Sequence, residues 1–90
     1  MLSLTARAAA QVLAQVAAAG GEDACLRIAA REEAGGEIVF GLGFDEPRNG
    51  DAQVESEGVT LLVAPASQEL LEGVVIDWVE VEPGAFRFVF

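Results

Sequence analysis

Histidine, lysine and tyrosine are absent from this 90-residue chain, and cysteine and methionine each occur once. Without histidine no Ser-His-Asp or Cys-His nucleophilic set can form. The single thiol, Cys25, cannot close a disulfide within the chain. Long apolar runs are also missing: none reaches the ~20 residues that a membrane-crossing helix needs. The alanine-rich start has no basic n-region, and Arg7, Gln11 and Gln15 interrupt it, so it does not read as a signal peptide. A cytoplasmic address is the expectation. Positive charge is scarce, with five arginines against fifteen carboxylates and a net charge of −10. Such a field repels phosphate backbones and anionic lipid, so neither nucleic acid nor a membrane is an expected partner. It suits a basic protein or a divalent cation, although acidity in itself mostly serves solubility.

Hydrophobic residues make up 52% of the chain. Ninety residues are too few for two independent cores, which predicts one domain over 1–90. A chain of this size buries only roughly 60–65% of its unfolded surface. Pairing two copies would bury more, and a homodimer is expected.

Leu2 and Leu4 alternate with Ser3 as in a short strand. Thr5 then suits the N-cap of a helix from Ala6 to Ala18, stopped by Gly20-Gly21. Ala9, Val12, Leu13 and Val16 predict its apolar stripe. Leu26, Ile28 and Ala30 alternate with Arg27 and Arg31, which predicts a strand from Cys25 to Arg31. Another runs from Ile38 to Phe44 after the turn-rich EEAGGE. Strands near 52–55 and 59–63 flank a Glu57-Gly58 turn. Pro65 starts a short helix that Gly73 stops. A closing hairpin joins 74–82 to 85–89 through Pro83-Gly84. Phe86, Phe88 and Phe90 share one face of the last strand, and Ile76 and Trp78 share one on its neighbour, which predicts core or dimer surface. Short strands with two separated helices indicate an α+β fold, a twisted mixed sheet or sandwich with one long N-terminal helix and one short helix.

The order of Leu26-Arg27-Ile28, Phe40-Gly41-Leu42, Phe44-Asp45, Gly50-Asp51, Val63 with Pro65, and Glu72-Gly73 before Ile76-Asp77-Trp78 resembles the A-type iron–sulfur carrier family (HesB/IscA-like) over nearly the whole chain. The resemblance implies that family's fold and cluster biosynthesis as the field of action. It also implies three ligand cysteines, the first six residues before Gly41. Gly35 stands there in this chain. The other two would lie in a Cys-x-Cys tail beyond the last strand, and the sequence ends at Phe90 without one. The expectation is therefore a degenerate, cysteine-free branch with no cofactor, because soft thiolates hold such clusters.

Other motifs have plainer readings. Cys25 shares a strand face with Arg27, yet a lone cysteine at a strand start is usually a packed small side chain. Asp45-Glu-Pro-Arg-Asn-Gly-Asp51 faintly echoes a calcium loop, but Pro47 and Ser56 stand where oxygen ligands belong. Gly41-Leu42-Gly43 lacks a third glycine and sits within a strand, so it reads as close packing or strand curvature and not as a dinucleotide fingerprint. Asp77, Glu80 and Glu82, or Glu32 and Glu33, would bind a hard cation only if folding gathered them. No catalytic residue is singled out, and no enzyme is expected. The leading expectation is a non-catalytic protein that acts through protein interaction. The alternative is a residual iron or cluster carrier using Cys25 across a dimer, with Glu32 or Glu33 as co-ligands.

Overall fold

A computed structural model of the chain describes residues 2–18, 20 and 25–90. The elements follow as β1 (Ser3–Leu4), α1 (Ala6–Ala18), β2 (Cys25–Glu32), β3 (Ile38–Asp45), β4 (Ala52–Ser56), β5 (Val59–Val63), α2 (Pro65–Leu71), β6 (Val75–Glu82) and β7 (Ala85–Val89). Two sheets form, one of order β1-β6-β7 and the other of order β3-β2-β5-β4. Two contacts are parallel, β1 with β6 and β2 with β5, and the hairpins are antiparallel. This is the expected mixed α+β arrangement. Alternation produces it: Leu26, Ile28 and Ala30 of β2 are buried on one face with Leu61 and Val63 of β5, while Ile76 and Leu71 enter the same core.

Helix α1 lies against β6, β1 and β5. Its buried residues are Ala8, Ala9 and Val12, with Val16 packed alongside, whereas Leu13 is 47% exposed. The expected stripe is thus rotated toward Ala8. Alanine lets the helix backbone approach the sheet closely, and that contact outweighs the burial of one leucine. Gly20 takes a positive φ after the helix; Gly21, the other half of the expected stop, lies outside the described residues.

Thr5 caps α1 as its position suggests. Its Oγ1 accepts the Ala8 N–H at 3.2 Å and donates to Asp77 Oδ1 at 2.7 Å, tying the helix start to β6. Thr5→Val keeps the shape and removes the hydroxyl. It is expected to cost about 1 kcal/mol, read as a lower urea midpoint with an unchanged slope.

Gly41 and Gly43 correct an expectation. A Cβ built on either would meet nothing within 4 Å. They are not sites of close packing; they leave the outer face of β3 bare. Gly50 is the glycine with a tight fit, for its φ is +88° and a Cβ there would stand 3.3 Å from Pro65 Cγ. The aromatic rows do pack partly. Trp78 lies 4.7 Å from Phe88 and 5.9 Å from Phe86, ring centre to ring centre, and Phe90 stacks on Phe40 at 4.7 Å. Phe86 is nonetheless 51% exposed.

Candidate functional site

The β2–β3 hairpin carries the residues singled out for cluster chemistry, Cys25, Glu32, Glu33 and Gly35. Its turn is built by Glu33, whose N–H donates to Glu37 C=O at 2.7 Å and whose C=O accepts the Gly36 N–H at 2.9 Å. Gly35 sits within this exposed turn, and Gly36 takes the positive φ that the reversal needs. Glu32 ends β2 beside it, and Glu33 Oε1 pairs with Arg31 Nε at 3.1 Å.

Cys25 lies at the opposite end of the same strand, half-buried, in register with Asp45. Seven residue steps of extended chain separate Cys25 from Glu32, about 23 Å. Within one chain the thiol and the two glutamates therefore do not meet. Among the described residues no three His, Cys, Asp or Glu side chains converge as a metal site. An iron–sulfur cluster asks for about four thiolate or comparable ligands. The residues present do not fit such a group, since one chain offers one thiol, far from the turn.

The most highly organised polar cluster is elsewhere on this hairpin, where sequence patterning gave only a wet strand face and a turn. Arg27 forks onto Asp51, with Nη1 to Oδ1 at 2.9 Å and Nη2 to Oδ2 at 2.6 Å. Its Nε donates to Asp45 Oδ2 at 2.6 Å, and Nη2 reaches Glu46 C=O at 3.2 Å. The Asp51 side chain is 3% exposed and that of Arg27 is 16% exposed. Arg48 adds its backbone N–H to Asp51 at 2.8 Å and its guanidinium to Asp45 at 3.0 Å. The hydrogen bonds from Arg27 hold both carboxyls below the usual aspartate range, Asp51 down to about 2. The loop with the faint calcium echo is therefore closed over an internal cation, and its two end carboxylates face a guanidinium. The signal in the sequence was the pair of aspartates flanking a loop opposite a strand arginine.

Asp77 is engaged in the same way. Arg7 donates to it from Nε at 2.6 Å and Nη2 at 2.5 Å, Thr5 at 2.7 Å, and the Trp78 N–H at 2.8 Å. Arg7 first, then Thr5, depress its pKa strongly. Glu80 accepts the Gly84 N–H at 3.3 Å and does not join it. The grouping of Asp77, Glu80 and Glu82 as cation ligands is thus replaced by an ion pair and a turn contact. Among the described residues no helix is long and apolar enough to cross a membrane.

A family model described as iron-sulphur cluster biosynthesis matches residues 1–90. The iron-sulfur cluster insertion protein ErpA of Stenotrophomonas maltophilia is 36% identical over 85 residues, which cover 93% of this chain and 65% of that protein. The chain thus spans somewhat less than two thirds of that relative's length. An uncharacterized protein in the nifU 5' region of Azotobacter vinelandii is 39% identical over 99% of this chain and 85% of its own. Among solved structures, a crystal structure of IscA with the [2Fe-2S] cluster superposes with a TM-score of 0.75 at 34% identity, covering 99% of this chain and 84% of that one.

Proposed function

The chain belongs to the iron–sulphur cluster biosynthesis family, the HesB/IscA-like carriers, and from that premise we propose that it is a non-catalytic member that has lost cluster binding and acts through protein contacts, as a homodimer. One observation carries this reading. The hairpin turn where the family resemblance puts the first ligand cysteine holds Gly35, and the chain's one thiol stands about 23 Å and more away along β2. Two copies of the chain would bring two thiols and no imidazole, a donor set short of the four soft ligands that a cluster takes. What the family fold keeps without the ligands is an acidic two-sheet domain that can act through contacts with partners. Basic protein surfaces are the chemistry that a net charge of −10 favours.

The test is anaerobic reconstitution with iron and sulfide, followed by assay of iron and acid-labile sulfide per chain and a visible spectrum. The expected product is colourless, with no stoichiometric iron. Stoichiometric iron and sulfide with a charge-transfer band would overturn the reading. If that band then vanished in Cys25→Ser, the residual carrier with Cys25 shared across a dimer would take its place.

A further inference from the structure

The β3 strand is an open edge of the four-stranded sheet. Its core, Ile38 to Phe44, contains no charge and no proline, the two usual guards of an edge strand. The other edges are guarded or short: β4 carries Glu55, β7 carries Arg87, and β1 has two residues. The hydrogen-bond phase of β3 follows from its turn. Glu33 donates to Glu37, so their register pair is a bonded one, and bonded pairs recur at Arg31–Val39, Ala29–Gly41 and Arg27–Gly43. Ala30–Phe40 is then a non-bonded pair. This agrees with Ser67 taking the Ala30 N–H and C=O on the side of β2 away from β3. By the same alternation, the N–H and C=O groups of Ile38, Phe40, Leu42 and Phe44 point to the open edge. The side chains there are incompletely covered too. Phe44 is 43% exposed and Val39 41%, and Ile38, Phe40 and Leu42 are only half-buried.

We propose that this edge pairs with the same edge of a second copy, antiparallel and two-fold about Gly41, joining two four-stranded sheets into one. The proposal rests on the interaction reading above and names its self-association surface. Only a register centred on Gly41 sets the outward-pointing residues of Ile38–Phe44 fully against themselves. Phe40 faces the partner's Leu42, and Ile38 faces the partner's Phe44, which gives about eight backbone hydrogen bonds. Side-chain sizes match in that register. On the outer face Val39 meets the bare partner's Gly43, and on the inner face apolar residues meet throughout. One residue beyond, the partner's Glu37 falls opposite Asp45, beside the guanidinium of Arg48, whose side chain is 71% exposed. The strand ends therefore bring like charges together, offset only by Arg48, and the pairing rests on the backbone bonds and the apolar residues between them.

Gly41 tests the register because a side chain there is free of steric conflict in the single chain. Gly41→Lys and Gly41→Glu each put two like charges across the axis, where paired Cα atoms stand ~4.5 Å apart. Sedimentation equilibrium of the whole chain should show a dimer. Each variant should weaken it by about fivefold, and an equal mixture of the two should recover wild-type affinity. Circular dichroism and the thermal midpoint extrapolated to dilute protein should stay unchanged. A lysine elsewhere on an acidic chain would strengthen pairing, so a stronger Lys dimer beside a weaker Glu dimer would overturn the register. A wild-type dimer indifferent to both substitutions would overturn this surface and leave the homodimer standing. A wild-type monomer at all concentrations would overturn both.

Discussion

Arg27→Met is expected to lower the midpoint of thermal unfolding by roughly 10 °C. Methionine keeps the apolar stem that lies along β2 and removes the guanidinium. Asp51, 3% exposed at its side chain, would then be held only by the Arg48 N–H, and Asp45 would lose its shortest contact. Removing one partner of a buried pair is far more damaging than never having built it, since the remaining charge has no solvent. The loop 46–50 should loosen with it, because Arg27 is its tether to β2 and Gly50 packs on Pro65 at the start of α2.

Acid titration separates the charge from the packing. In the folded chain Asp51 is held down to about 2, chiefly by Arg27 and then by the Arg48 N–H, and Asp45 is lowered by Arg27 and the Glu46 N–H. Unfolded aspartates titrate near ~3.9. Between roughly pH 4 and pH 2 the unfolded chain therefore binds more protons than the folded one, and stability falls as the pH falls. The contribution is fully present above about pH 4 and is lost toward pH 2. In Arg27→Met the buried Asp51, left with the Arg48 N–H alone, shifts upward relative to wild type, so the gap between wild type and variant should narrow through this window. Urea unfolding at a series of pH values measures it. A gap that stayed constant would mean that the stem of Arg27, and not its charge, holds the loop.

The elements of this fold were legible where a signal is local. Alternation at Leu26, Ile28 and Ala30 marked β2, Pro65 and Gly73 bounded α2, and Thr5 marked the start of α1, all within a residue or so of the structure. The face of α1 was less legible. Among its many alanines a hydrophobic stripe is weakly phased, and Leu13 drew the reading toward solvent. The Arg27 cluster went unread, because its partners lie 18 and 24 residues away and each had a sufficient local reading as strand or turn; only the two aspartates flanking the loop hinted at it. For the candidate site, Gly35 was placed correctly in a turn by Gly35-Gly36, but the separation of Cys25 from Glu32 and Glu33 needed the strand to be known as one unbroken extended segment. The residual-carrier alternative joins Cys25 with Glu32 or Glu33 across a dimer; within one chain a β-strand turns those few residues into distance.

Ser67→Ala is expected to cost about 2 kcal/mol, within the ~1–3 kcal/mol of a buried polar group left without a partner. Strand β5 pairs with β2 only at Leu26 and Arg27, so beyond them β2 has no strand on that side. The Ser67 hydroxyl continues the ladder in its place, accepting the Ala30 N–H at 3.2 Å and donating to Ala30 C=O at 3.1 Å. Serine suits this role because one oxygen both donates and accepts, and its position in the first turn of α2 aims it at the strand edge. The residue is 6% exposed, which leaves little room for water to replace it. Alanine would therefore orphan two backbone groups in the core at once, an effect out of proportion to one oxygen atom. Chemical denaturation should show the loss. Hydrogen exchange should show the Ala30 amide losing protection relative to Leu26, which pairs with β5. Ser67→Thr, which restores the hydroxyl, should recover the protection of Ala30 even where its added methyl costs stability. Unchanged exchange at Ala30 in Ser67→Ala would mean that water enters and takes both bonds, and the stability loss should then fall well below 1 kcal/mol.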